Sequence, residues 1–199
     1  MHSKSTTNYS NLQQIVHQLP AGLLQEDNRT ELFGCRESKK VYVLSQGKTI
    51  SFKELNPVKK ALIFERLLND DAAMNDLQHL SQQEALEQFA FCIYGAADHD
   101  ADFSENGCLN ESDNFLCSNS CKCINWKSKV ITIDKIPLTI RQLEIIQLMA
   151  SDLCDKQIAD KLGISESTLD SHKTKMFEKF GVHSKSGMIT KAVQHKIIQ

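Results

Sequence analysis

From residue 138 to the end of the chain, apolar side chains recur at helical spacing in four short blocks separated by turn-forming residues. Nothing else in the 199-residue sequence restricts the fold as tightly. Leu143, Ile146, Met149 and Ala150 mark the first block. Asp155 is placed to cap a second helix over 156–162, with Ile158, Ala159 and Leu162 inward, and Gly163-Ile164 forms a tight turn. Ser165 caps a third helix, with Glu166 in its first turn and Leu169, Met176 and Phe180 facing inward. Gly181 stops it, and a fourth helix over 184–198 is built around Met188, Ile189, Ala192 and Val193. Periodicity alone admits any small helical bundle.

A short helix, a glycine turn and a longer helix with polar residues outward match the helix-turn-helix, whose second helix enters the major groove of DNA. The charge distribution agrees with a nucleic-acid contact at this end. The net charge of −2 hides a split: residues 1–133 carry 13 Lys+Arg against 17 Asp+Glu, and residues 134–199 carry 10 against 8. The landmarks Leu138-Thr139, Arg141, Glu144, Lys156, Ile158-Ala159, Leu162-Gly163-Ile164-Ser165, Ser167-Thr168-Leu169, His172, Lys179 and Gly181-Val182 make residues 138–198 closely resemble the LuxR/FixJ/NarL-type (GerE-like) DNA-binding domain.

The resemblance implies a four-helix domain that reads double-stranded DNA with its third helix and dimerises through its last. Carried over by position, Asp170, Ser171 and Thr174 face the bases. Ser167, Thr168, His172 and Lys175 lie near phosphates, and Lys156 approaches the backbone from the second helix. Val182, Met188, Ile189, Ala192 and Val193 form the homodimer interface. Hydroxyls at a helix N-terminus suit an anion, and lysines supply the salt-dependent part of affinity. Three residues depart from the pattern. Asp170 stands where a basic or amide residue is usual, and a carboxylate there can accept from cytosine N4. Lys173 takes a usually apolar site, where its stem packs while its head snorkels. Ile140 replaces a common proline, which predicts a fraying first turn.

Of seven cysteines, Cys35, Cys92 and Cys154 sit among apolar residues and read as small buried hydrophobes. The other four, Cys108, Cys117, Cys121 and Cys123, fall within sixteen positions of a polar stretch poor in core residues. With no export signal visible, clustered thiols favour metal over disulfides. Four thiolates suit a tetrahedral Zn²⁺ site or an iron–sulfur cluster, and the spacing also leaves room for no metal at all. Cys92 or His99 could replace one ligand, although a lone histidine in an acidic loop is more often solvated.

The rest of the chain reads as a small α+β domain. Leu12, Ile15, Val16 and Leu19 predict a helix in an arm over 1–30, ended by Pro20 and Gly22. Over 31–97, runs at Val41-Tyr42-Val43-Leu44 and Thr49-Ile50-Ser51-Phe52 predict a hairpin turning at Gly47. Asn56-Pro57 starts a helix with Ala61, Leu62, Phe64, Leu67 and Leu68 inward. A shorter helix follows through Met74, Leu77 and Leu80. Ser81 to Glu84 fits a capping box that opens a third helix with Leu86, Phe89, Ala90 and Ile93 on one face and Gly95 as C-cap. The cysteine-rich segment spans 98–133, with a strand at Val130-Ile131-Thr132-Ile133 and a boundary over 134–137. The fold class expected is therefore mainly α, a helix-turn-helix domain behind an α+β domain with a metal-stapled segment.

Several classes are excluded or demoted. The longest apolar run, 89–97, is far short of the ~20 residues of a membrane helix, so no membrane partner is expected and the cytoplasm is the default compartment. A phosphorylatable receiver domain needs five strands alternating with helices, which this pattern lacks. A single Trp and few aromatics disfavour an aromatic-rich signal pocket. Enzymatic chemistry is not expected, because Asp98 with His99 is the one candidate pair and reads as an acidic loop. The function expected is a bacterial-type transcription regulator whose N-terminal region senses a signal or binds a protein partner. The alternatives are an adaptor module with a degenerate helix-turn-helix and a redox- or metal-responsive switch built on the four cysteines.

Overall fold

The computed structural model describes residues 19–118 and 121–198. The helix expected around Leu12, Ile15 and Val16 lies outside the described residues. Within the described part of the 1–30 stretch, Ala21 is fully buried and its N–H donates to the Asp98 carbonyl at 3.2 Å.

Three antiparallel strands follow, β1 (Thr30–Cys35), β2 (Lys40–Ser45) and β3 (Lys48–Ser51), in the order β1-β2-β3. β2 and β3 are the expected hairpin, joined by Gln46-Gly47 with Val43 opposite Ile50. β1 escaped the sequence pattern because its buried Glu31 and its Gly34 are poor strand residues. It pairs with β2 in a register placing Leu32 opposite Val43.

Three helices support this sheet: α1 (Pro57–Leu68), α2 (Asp71–Leu77) and α3 (Gln82–Ile93). The Asn56 side chain accepts from the Val58 N–H at 2.8 Å and so caps α1. The inward stripe of α1 is Ile63 and Leu67. Ala61 and Leu68 face solvent, because α1 packs against α2 and α3 through the Ile63 and Leu67 side. The Ser81–Glu84 capping box is formed. Gly95 is not the cap of α3; Tyr94 holds that position. Gly95 is required by close approach instead, since a Cβ there would lie 2.4 Å from the Phe115 ring and the Phe91 carbonyl oxygen.

The irregular segment after α3 contributes its own side chains to the first core. Phe103, Phe115, Cys123 and Trp126 are all buried in the first core. Trp126 stacks on Phe89 with centroids 5.7 Å apart and donates to the Asp76 carboxylate at 2.8 Å. Burying rings of this size contributes ~1.5–3 kcal/mol each relative to exposure.

A two-stranded hairpin, β4 (Thr132–Ile133) and β5 (Ile136–Pro137), replaces the expected boundary. Its buried Ile131 and Ile133 belong to a second core shared with the last four helices. These are α4 (Ile140–Met149), α5 (Asp155–Leu162), α6 (Glu166–Lys179) and α7 (Lys185–Gln194). The first turn of α4 is closed rather than frayed, because Thr139 and Gln142 form a reciprocal capping box. Cys154, not Asp155, occupies the N-cap of α5 and is exposed; Cys35 is only half-buried, so Cys92 alone of the three scattered cysteines is buried.

Candidate nucleic-acid interface and thiol cluster

α5 and α6 are set at their angle by a turn with three local determinants. Gly163 adopts φ +64°, the left-handed conformation that ends α5 without a Cβ penalty. Ile164 donates back to the Ala159 carbonyl at 3.1 Å, and the Ser165 hydroxyl accepts from the Thr168 N–H at 3.1 Å to start α6. Behind the turn, Ile158, Leu169 and Met176 are fully buried, which fixes the two helices against α4. Arg141 of α4 braces the turn by donating to the Leu162 carbonyl at 2.9 Å.

The outward face of α6 carries the residues expected to meet DNA. Lys156, Ser167, Thr168, Asp170, Ser171, Thr174 and Lys175 are exposed, and His172 is half-buried. The Ser165 hydroxyl lies 2.9 Å from that of Ser167 and 2.8 Å from that of Thr168, so three hydroxyls cluster at the helix N-terminus. Lys156 and Lys175 make no ion pair among the described residues. Lys173 behaves as its position requires. Its side chain is only 13% exposed, and its ammonium reaches Asp155 at 2.8 Å and Asp170 at 3.8 Å.

The expected dimer surface needs correction. Met188 and Ala192 are fully buried in the second core, because the same helical stripe that was assigned to a partner faces inward. Val182 and Ile189 are half-buried, and Val193 is 51% exposed. Lys179, although exposed, and the half-buried Lys191 tie elements of the domain together. Lys179 donates to the Pro137 carbonyl at 2.7 Å, and Lys191 pairs with Asp134 at 2.6 Å and donates to the Phe180 carbonyl at 2.7 Å.

Away from this domain, four sulfur atoms converge. Cys92, Cys117, Cys121 and Cys123 have their Sγ atoms within 4.8 Å of one another, with Cys117 and Cys123 at 3.6 Å. Cys108 does not belong to the group. It is exposed on the loop after Gly107, while Cys92, buried on α3, supplies the fourth thiol. His99 is also outside, 55% exposed and 3.7 Å from Asp100. The sequence cue for Cys92 was weak, since its place in the quartet depends on α3 packing beside a segment 25 residues later.

The donor set fits a single soft ion. Zn–S bonds of about 2.3 Å in a tetrahedron separate the sulfurs by about 3.8 Å, close to the spacing present. Gln88 donates to the Cys92 sulfur at 3.3 Å. Lys129, 6% exposed, extends to the Cys92 carbonyl oxygen and places a buried cation beside the thiols. Sulfur–sulfur hydrogen bonding pulls the Cys117 thiol down to about 2, chiefly through Cys123, and pushes Cys92 up to about 12.

The fold and the exposed face of α6 define a helix-turn-helix domain. Residues 136–192 match the family described as bacterial regulatory proteins, luxR family, and this segment is a LuxR-type helix-turn-helix domain. The fimbriae Z protein of Escherichia coli K12 is 33% identical over 89 residues, covering 45% of this chain and 39% of that protein. The oxygen regulatory protein NreC of Staphylococcus aureus strain JH9 is 37% identical over 62 residues, covering 31% of this chain and 29% of its own. The chain therefore spans well under half the length of these curated relatives. No solved structure matches. Among the described residues no helix is long and apolar enough to cross a membrane.

Proposed function

We propose that this chain is a DNA-binding transcription regulator that inserts α6 into the major groove of double-stranded DNA. One observation carries this reading: a LuxR-type domain whose Ser167, Asp170, Ser171, Thr174 and Lys175 stand clear of the protein on one helix face. Asp170, Ser171 and Thr174 read bases. Ser167, Thr168, His172 and Lys175 engage phosphates at the helix N-terminus and along its flank, and Lys156 reaches the backbone from α5.

The active species is a homodimer in which the exposed ridge of α7, with Val193 at its centre and Val182 and Ile189 at its edge, meets its symmetry mate. Met188 and Ala192 support that ridge from inside the domain. The four-thiol cluster holds Zn²⁺, because a single tetrahedral ion matches the close sulfur spacing, whereas an iron–sulfur cluster interposes several atoms and spreads its ligands wider. The ion is structural: four protein ligands leave no open position for substrate. The region before residue 134 acts as the sensing or partner-binding part. The cytoplasm is its site of action.

Selection of bound duplexes from a random pool by the purified full chain, followed by titration at several salt concentrations, tests the central reading. A defined sequence preference with affinity falling steeply as salt rises is expected. Equal indifference to every duplex at low salt, with the zinc retained, refutes it.

A further inference from the structure

The thiol cluster stands between the two cores, and its neighbours alternate between them. Cys92 and Cys123 are buried in the first core, beside Phe115 and Trp126. Leu116, adjacent to Cys117, and Ile124, adjacent to Cys123, turn the other way and pack against the second core. A cavity of about 310 Å³ lies where Cys121, Leu116 and Ile124 face Ile140, Leu143 and Gln147 of α4. α4 is the platform of the DNA-binding domain, since α5, α6 and α7 all pack on it.

Apart from Cys92 on α3, the ligands sit on irregular chain with one short 3-10 turn, Lys122–Asn125, so no ladder of backbone hydrogen bonds holds them. In such a segment, metal-binding free energy becomes folding free energy. Resting on the reading of the cluster as a zinc site, we propose that ion occupancy fixes the attachment of the DNA-binding domain to the N-terminal region. Loading or losing the ion is transmitted through Leu116 and Ile124 to α4. The loaded chain binds DNA more tightly, because a rigidly held α4 lowers the ordering cost of seating two recognition helices on two half-sites.

The two units also meet away from the thiols: Asn114 donates to the Thr132 carbonyl at 2.7 Å and accepts from the Thr132 N–H at 2.8 Å, and Ser112 and Val130 exchange two hydrogen bonds at 3.0 Å. Lys196 meets Asp98 at 3.4 Å and Asn114 donates to the His195 carbonyl at 3.1 Å, both at the far end of α7. An exposed ion pair of that kind contributes at most about 1 kcal/mol.

The test uses the full-length chain, with thiols kept reduced, in three states: zinc-loaded, chelator-stripped and zinc-reloaded. Zinc content, amide hydrogen exchange of the Ile140–Met149 helix and affinity for a selected duplex are measured in each. Stripping is expected to raise exchange in both the cysteine segment and α4 and to weaken DNA binding about fivefold or more, with reloading restoring both. A Leu116→Ala/Ile124→Ala chain keeps the four thiols; it is expected to retain full zinc content, bind DNA weakly and ignore the chelator. If zinc leaves while exchange at α4 and DNA affinity stay unchanged, the coupling is wrong and the metal site stands. If the reduced chain takes up no zinc, the metal reading fails and takes the proposal with it. Should stripping unfold the first core, the double variant decides: wild-type affinity in its zinc-loaded form overturns the proposal.

Discussion

Asp170 is the residue on α6 whose chemistry is least like a phosphate contact. Its side chain is 77% exposed and its carboxylate is only 3.8 Å from the Lys173 ammonium, which offsets part of the repulsion from DNA. The pair leaves Asp170 free to accept a hydrogen bond from a base edge. Asp170→Asn is expected to shift preference at one base position by ~1–3 kcal/mol while leaving binding elsewhere in the site intact. An unchanged selected sequence refutes a base-reading role. Lys175→Ala, by contrast, is expected to weaken all duplexes alike and reduce the salt slope by about one. Equal loss of discrimination in both variants contradicts the division of roles. At this scale the sequence was most informative where a residue acts through its own exposed face, and least where partners come from afar. The exposure of the α6 positions that the family resemblance singles out follows from periodicity within one helix. The exchange of Cys108 for Cys92 was open in the sequence only as one alternative beside His99, because which thiols meet depends on how α3 lies against the later segment.

The elements obey local rules that the sequence states openly, and their faces obey long-range ones. Caps at Asn56, Ser81, Thr139, Ser165 and Ser184 all form where hydroxyl or amide side chains precede a helix. Gly95 looked like one more terminator, yet its requirement is set by Phe115, a residue twenty positions on. Gly95→Ala is expected to lower stability by ~1–3 kcal/mol, read as a lower denaturant midpoint, because a methyl group at 2.4 Å from ring and carbonyl forces both to move. A midpoint within error of wild type shows that the contact relaxes freely. β1 was missed, and the solvent-facing Ala61 and Leu68 of α1 were placed inward, for a related reason. A strand carrying a buried acid, and a helix with apolar residues on several faces, take their orientation from neighbours that a periodic pattern does not name.

Three buried carboxyl groups gather where β1 meets the segment after α3, and they give the whole molecule a pH dependence. The Asp102 carboxylate accepts from the Leu32 N–H at 2.6 Å, Glu31 from Asp98 at 2.7 Å and Asp113 from Ala96 at 2.9 Å. Glu31 Oε2 and Asp102 Oδ1 have no partner among the described residues. Burial pushes Glu31 up to about 9 and Asp113 up to about 7, and it raises Asp102 well above the carboxylate range. The folded chain therefore keeps protons that the unfolded chain releases from ordinary carboxylates, so stability falls as pH rises from about 5 towards about 9. Glu31→Gln, which mimics the neutral acid, is expected to hold its denaturant midpoint better than wild type over that window. An identical slope in both proteins shows that Glu31 does not carry the extra proton.

What the sequence determined by itself is the C-terminal domain: four helices, the Ser165 cap, the glycine turn and the outward face of α6 all follow from interactions within about four residues. What only the tertiary structure decided is the partnership between distant parts. Met188 and Ala192 were absorbed into the second core, Ile131 and Ile133 crossed over to join it, and Cys92 entered the thiol cluster. The physical reason is that helical periodicity and capping are short-range and written residue by residue. Which apolar face is covered, and which sulfurs come within reach, depends on burial summed over chain segments that sequence spacing does not bring together.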